Sequence, residues 1–281
     1  MPFCSHCGNK LDEGASFCYV CGAQVSTTPS GRSTHEVFSI SGTPRVLVNS
    51  RSPGAIQIFG SDNNSVEVDV ALREESYLDW NVAQTGDSIA VSCQPRAGAF
   101  VFPGGLSLEG ARADFSVKVP RQAVLDLRNR FGEIKVIGVK GSSINAESSV
   151  GSIAISDFEG TTQVTTRTGL LSLENVKGKI SARNQAGSIN YSGNPFFGDS
   201  SFNTKVGNID ITLAGDLNLK IDASSKVGVV SIDPSVNGTQ DQSEQYGIGS
   251  RIHYTVGSGA CRLFLETITG TISIHKSPLQ R

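Results

Sequence analysis

From residue 132 onward one pattern recurs: Gly, any residue, apolar, any residue, apolar. It reads GEIKV from Gly132, GSIAI from Gly151, GLLSL from Gly169, GSINY from Gly187, GNIDI from Gly207, GVVSI from Gly228 and GTISI from Gly270. The steps between these glycines are 19, 18, 18, 20, 21 and 42 residues, the last being two periods, with GSRIHY from Gly249 filling the gap. Apolar and polar residues alternate along each piece, which is the two-residue period of a strand. A second alternating piece follows about half a period later, as SSINAE, TTQVTT and KISAR after Gly141, Gly160 and Gly178. No stretch carries a 3.6-residue apolar stripe, so very little helix is expected.

A fixed period near 20 with a glycine at one corner predicts a solenoid: short strands in each coil and successive coils stacked as parallel sheet. Turn signals every 8–12 residues also suit an antiparallel sandwich, but the in-register glycine column favours stacked coils. On this reading Ile134, Ile153, Leu171, Ile189, Ile209 and Val230 form one internal ladder, and Val136, Ile155, Leu173, Tyr191, Ile211 and Ile232 a second. The fold class expected is all-β, a β-solenoid-like repeat domain over 37–281 preceded by a small metal-clipped module. Within that domain, 37–125 reads as irregular opening coils, GAIQI from Gly54 already carrying the signature, and 126–281 as regular repeats. The apolar loop AFVFPGGLSLEG, 99–110, reads as a cover for an end or a binding element.

The first 25 residues hold four of the six cysteines as C-x2-C-x10-C-x2-C: Cys4, Cys7, Cys18 and Cys21. Gly8 and Gly22 follow the second cysteine of each pair, where a glycine lets the backbone turn its amides toward the sulfurs. Four thiolates suit one tetrahedral Zn(II). Ligands of this number leave no open position, so the zinc is read as structural, and a module this short needs the metal in order to fold. An iron site uses similar spacing and is the rival. His6, inside the first knuckle, is expected to face solvent. Residues 26–36, STTPSGRSTHE, are small and polar and read as a flexible linker, leaving the module either tethered or capping the β domain.

The segment CSHCGNKLDEGASFCYVCGAQV resembles the small bacterial zinc-ribbon domain, which implies two short-hairpin knuckles acting as a contact module. The segment FSVKVPRQAVLDLRNRFGEIKVIGVKGSSINAESSVGSIAISDFEG, and with it roughly 40–276, resembles the adhesin-like DUF4097 or toastrack family. That resemblance implies a β-solenoid-like fold with no known catalytic residues, and some relatives belong to cell-envelope stress systems.

Nothing points to catalysis. Glu133, Asp157, Glu159, Glu174, Asp210 and Asp222 scatter over outward positions without a paired-carboxylate arrangement. The histidines, His6, His35, His253 and His275, are far apart in sequence, and no phosphate or nucleophile motif occurs. Cys93 and Cys261 fall on inward phases and read as buried thiols. With 24 basic and 26 acidic residues the chain has no nucleic-acid footprint. No apolar run is long enough for an integral membrane segment. The N-terminus lacks the pattern of a secretory signal, so a cytoplasmic location is expected, with thiols reduced. The chain is therefore expected to be a non-enzymatic interaction or scaffold protein with a protein partner. An envelope component is the alternative ligand, and a polysaccharide-acting enzyme ranks third.

Overall fold

A computed structural model describes residues 4, 6, 7, 9–11, 17–23, 31–96, 110–195, 198–215 and 217–277. Among them the only helical turn is a 3-10 turn at Glu75–Tyr77, and none is long and apolar enough to cross a membrane. The chain divides into two compact units, Met1–Lys140 and Gly141–Arg281.

Unit 1 contains β1 (Gly31–Ser39), β2 (Arg45–Pro53), β3 (Ile56–Ser61), β4 (Ser65–Arg73), β5 (Leu78–Thr85), β6 (Ser88–Pro95), β7 (Arg112–Pro120), β8 (Val124–Phe131) and β9 (Ile134–Ile137). One layer has the order β1-β4-β7-β3-β9 and the other β8-β2-β6-β5. The pairs built on β2 and β3 are parallel, while β1, β4 and β5 join antiparallel at the edges. Ile56 of the early GAIQI motif pairs with Ile134 of GEIKV, so the irregular half does open with the same coil. Residues 31–36, read from sequence as linker, lie in β1, paired with β4 from Gly31↔Arg73 onward. Their composition is that of a tether, but β4 offers an open edge and its backbone hydrogen bonds do not depend on side chains. The 99–110 loop lies outside the described residues apart from Gly110.

Unit 2 contains β10 (Ser143–Val150), β11 (Ile153–Ser156), β12 (Thr161–Thr168), β13 (Leu171–Lys177), β14 (Ile180–Ala186), β15 (Ile189–Asn194), β16 (Ser200–Val206), β17 (Ile209–Leu213), β18 (Leu219–Val227), β19 (Val230–Ile232), β20 (Thr239–Tyr246), β21 (Gly249–Val256), β22 (Cys261–Thr269) and β23 (Ile272–Lys276). Each coil is a longer strand, a glycine corner and a shorter strand. The shorter strands stack in parallel as β11-β13-β15-β17-β23-β19, and the longer ones as β10-β12-β14-β16-β22-β18, with β21 and β20 added antiparallel at the end.

The expected ladder is present in unit 2 with one change of order. It runs Ile153, Leu171, Ile189, Ile209, Ile272, Val230, every member buried. The last coil in sequence, β22–β23, is inserted between the fourth coil and β18–β19. The second ladder runs Ile155, Leu173, Tyr191, Ile211, Ile274, Ile232, and its end member Ile232 is only half-buried. Gly249, taken from its spacing as one more coil corner, instead begins the antiparallel strand β21.

The corners account for the glycines. Gly169, Gly187, Gly207, Gly270 and Gly228 have φ between +133° and +149°. A Cβ on any of them would land on the carbonyl oxygen of the corner glycine in the adjoining coil. Only glycine satisfies both demands. Three residues before each of these five corners stands a short polar side chain that donates to the same column of carbonyls. Thr166 donates to Gly151 O, Asn184 to Gly169 O, Thr204 to Gly187 O, Thr267 to Gly207 O and Ser225 to Gly270 O, at 2.8–3.2 Å. In unit 1, Asn129 does the same to Gly54 O at 2.8 Å. These side chains are buried, and each tethers one coil to the next.

Candidate metal centre

Four sulfurs converge at the N-terminal end of unit 1. The ligand atoms of Cys4, Cys7, Cys18 and Cys21 lie within 4.8 Å of one another, and no other such group of His, Cys, Asp or Glu occurs among the described residues. The two knuckles are built alike. The Cys4 amide donates to Asn9 O at 2.7 Å and the Cys18 amide to Ala23 O at 2.8 Å, each closing a loop around its Cys-x-x-Cys pair. Gly22 supplies the positive φ, +72°, expected of it, and its amide donates to Cys18 O at 2.9 Å. Gly8 lies outside the described residues. The Val20 amide points at the Cys18 sulfur at 3.4 Å.

Cys4 and Cys21 sulfurs are 3.6 Å apart, and so are those of Cys7 and Cys18. A disulfide requires about 2.05 Å, so these are not disulfides. A tetrahedron with metal–sulfur bonds of about 2.3 Å has edges of about 3.8 Å, which the observed separations approach. Cys4 and Cys18 are buried with Leu11 in a small apolar core, against which Cys21 and Ala23 pack. The Cys7 amide holds the Cys4 thiol down at about 6. Burial pushes Cys21 up to about 12. Cys7 is also raised: the Asn9 amide favours its thiolate, but burial and the sulfurs of Cys18 and Cys4 oppose it. One negative charge therefore forms readily and discourages the next. A divalent cation at the centre reverses that opposition, so the donor set fits zinc. His6 is exposed and outside the set.

The ribbon does not stand apart from the β layers. Its Gly22 carbonyl accepts from Ser116 Oγ at 3.1 Å, and its Tyr19 carbonyl accepts from Lys135 Nζ at 2.9 Å. The same ammonium lies 5.1 Å from the centre of the Tyr19 ring. Gly22 sits so close to the Phe59 ring that a Cβ there would be 2.6 Å from it. Phe59 and Gln57 occupy the outward phase of β3, and Ser116 that of β7, yet all three are buried. The outer face of β3, β7 and β9 is thus a seat for the ribbon. Sequence reasoning left this docking open. The signal was an apolar Phe59 in an otherwise polar phase.

The other candidates stay dispersed. Glu133, Asp157, Glu159, Glu174 and Asp210 are exposed; Asp157 accepts from Asn175 Nδ2 at 2.7 Å. Asp222 is the exception, half-buried, with its Oδ1 2.5 Å from His253 Nδ1 across β18 and β21. His35 meets Asp69 at 2.7 Å and His275 lies 3.9 Å from Asp233. Each of these histidines has one carboxylate neighbour, and the structure does not gather the histidines of either unit into one site. Cys93 is buried and burial raises its thiol, while Cys261 is half-buried at the start of β22.

The family model described as Toastrack DUF4097 matches residues 124–275, and that described as zinc-ribbon domain matches residues 3–25. No curated protein matches the chain. Among solved structures, a "putative cell adhesion protein" from Clostridium sporogenes aligns over 88% of this chain and 100% of its own, at 14% identity and a TM-score of 0.43. A "putative adhesin" from Bacteroides fragilis aligns over 86% and 97%, at 10% identity and 0.42. A "putative lipid binding protein" from Parabacteroides distasonis aligns over 88% and 97%, at 12% identity and 0.32. With stacked glycine-cornered coils under the one match and two cysteine knuckles under the other, the chain belongs to the Toastrack DUF4097 family and carries a zinc-ribbon domain at its N-terminal end.

Proposed function

We propose that this chain is a non-enzymatic interaction protein in which one structural Zn(II), held by Cys4, Cys7, Cys18 and Cys21, fixes the ribbon on the β3–β7–β9 face while the coils present a rigid surface to a binding partner. The observation that carries this reading is the closed four-sulfur set in a ribbon whose backbone is tied to Ser116 and Lys135. Four thiolates leave no coordination position for a substrate or an activated water, so the metal's work is to hold shape. The coil interiors support the same reading. Their buried polar groups at the corners are spent on backbone carbonyls, and what stands outside is a regular surface. A cytoplasmic location, where thiols stay reduced, is part of the same proposal.

Two measurements on the purified full chain test the proposal. Elemental analysis should find one zinc per chain, and cobalt substitution should give the absorption of a tetrahedral thiolate site. A panel of polysaccharides should yield no turnover above that of an Asp222→Asn, His253→Ala variant, since that pair is the best-placed acid–base candidate. Turnover lost in the variant would overturn the non-enzymatic reading, and metal-free folded ribbon would overturn the structural-zinc reading.

A further inference from the structure

Among the described residues, eleven large apolar side chains stand exposed, and seven of them lie along the glycine corner of unit 2. The residues directly before the corner glycines pair in register from coil to coil: Val150, Thr168, Ala186, Val206, Thr269, Val227. Val150, Val206 and Val227 there are 50%, 56% and 40% exposed. Directly after the glycines, Leu170 and Val229 are exposed, and the other positions of that row are Ser152, Ser188, Asn208 and Thr271. Ile248, at the tip of the β20–β21 hairpin, extends the row, its carbonyl accepting from the Gly228 amide at 2.9 Å. At about 4.8 Å per strand, the five steps from Val150 to Val227 make a ridge of about 24 Å along which Thr168, Ala186 and Thr269 stand between the valines.

Charge on this ridge has one sign. Two residues before each glycine stand Ser149, Arg167, Gln185, Lys205, Ile268 and Lys226. The cations occupy every second strand, about 9.6 Å apart, and none is paired with a carboxylate among the described residues. Neither row touching the glycines contains a charge. Further from the corner, the next outward row of the long strands holds Glu147, Arg183 and Glu266, and Asp210 stands on the short-strand side.

Resting on the reading of the chain as an interaction protein, we infer that this corner docks on an anionic bilayer surface, with the Val, Leu and Ile side chains entering the headgroup–acyl boundary and Arg167, Lys205 and Lys226 meeting lipid phosphates. A projecting edge of aliphatic side chains beside evenly spaced cations is the chemistry of interfacial lipid binding. A second copy would bring two cationic rows together. A protein partner's anchors are commonly aromatic, and the ridge has none.

Flotation of the zinc-loaded full chain with vesicles tests the inference. Vesicles of phosphatidylcholine with a quarter phosphatidylglycerol should carry the protein, pure phosphatidylcholine much less, and added salt should release it. Lys205→Glu with Lys226→Glu should weaken flotation about tenfold or more. Val206→Asp with Val227→Asp should abolish it, while Val37→Asp, an exposed valine elsewhere, should leave it unchanged. Every variant should melt like the parent, since all the changed side chains are exposed. No flotation, equal flotation on both lipids, ridge variants that float like the parent, or release by soluble glycerol phosphate would each overturn it. Capture of a protein through the ridge without vesicle binding would end the lipid inference and leave the interaction reading standing. Polysaccharide turnover would strike the latter alone.

Discussion

The corners at Gly169, Gly187, Gly207, Gly270 and Gly228 each depend on two residues, the glycine and the short polar residue three before it. Gly187 has φ +133° and a Cβ there would lie only 2.1 Å from Gly169 O. Gly86 also has positive φ, +59°, but open space around it. Gly86→Ala should therefore cost about 1 kcal/mol, the ordinary left-handed penalty, while Gly187→Ala should cost several times that because the coils must separate. Urea unfolding of the two variants compares them directly, and equal losses would show that the corner does not need close approach. Thr204→Val keeps shape but removes the donor to Gly187 O, at an expected cost of about 1–2 kcal/mol that Thr204→Ser restores in part. Ile189→Asp would bury a charge between Leu171 and Ile209 and should cost about 3 kcal/mol or more; a variant melting like the parent would invert the inward assignment. The glycines and the ladder were legible because both repeat at a fixed period. The polar residue at minus three was equally periodic, but Asn, Thr and Ser there read as ordinary turn-forming residues, and their purpose appears only when the neighbouring coil's carbonyl is in view.

At the level of elements, the ribbon and its seat act together. A metal held by the four cysteines would fix the knuckles; the knuckles present the Gly22 and Tyr19 carbonyls, and those meet Ser116 and Lys135 while Phe59 is covered. Cys18→Ser, or a strong chelator, should release the ribbon and uncover Phe59, so that amide exchange accelerates along β3 and β7 and unit 1 melts earlier. Acid should do the same, since protons compete with the metal for the thiolates. If exchange along β3 and β7 stays at parent rates after zinc loss, the ribbon is an independent module after all. The convergence of the four cysteines was legible because their spacing is local. The docking was not, because it rests on one buried aromatic and two backbone carbonyls separated from their partners by about a hundred residues.

For the molecule as a whole, the period in the sequence says that coils exist but not which coil lies beside which. In unit 2 the step of 42 residues conceals a reversal: the chain builds β18–β19, turns through the antiparallel β20–β21 hairpin, and returns to lay β22–β23 between β16–β17 and β18–β19. The return is chemically reasonable. β21 and β20 close the open edge of β18 with a polar hairpin, and an exposed parallel edge would otherwise invite further pairing. It also makes the C-terminal strands internal. Shortening a solenoid built in sequence order removes its last coil and leaves the rest, because each coil touches only its neighbours. Here a chain ending at Val256 loses β22, which pairs with both β16 and β18, and β23, which pairs with both β17 and β19. The expected result is detachment of β18 through β21 from the stack, with loss of exchange protection back to β16 and a smaller m-value than removal of one terminal coil would give. Lengthening the hairpin at Gly247 should leave protection unchanged, since no neighbour lies within 4 Å of a Cβ there. A truncated chain that keeps β18 and β21 protected would show that the last coil sits at the end, as its place in the sequence suggests.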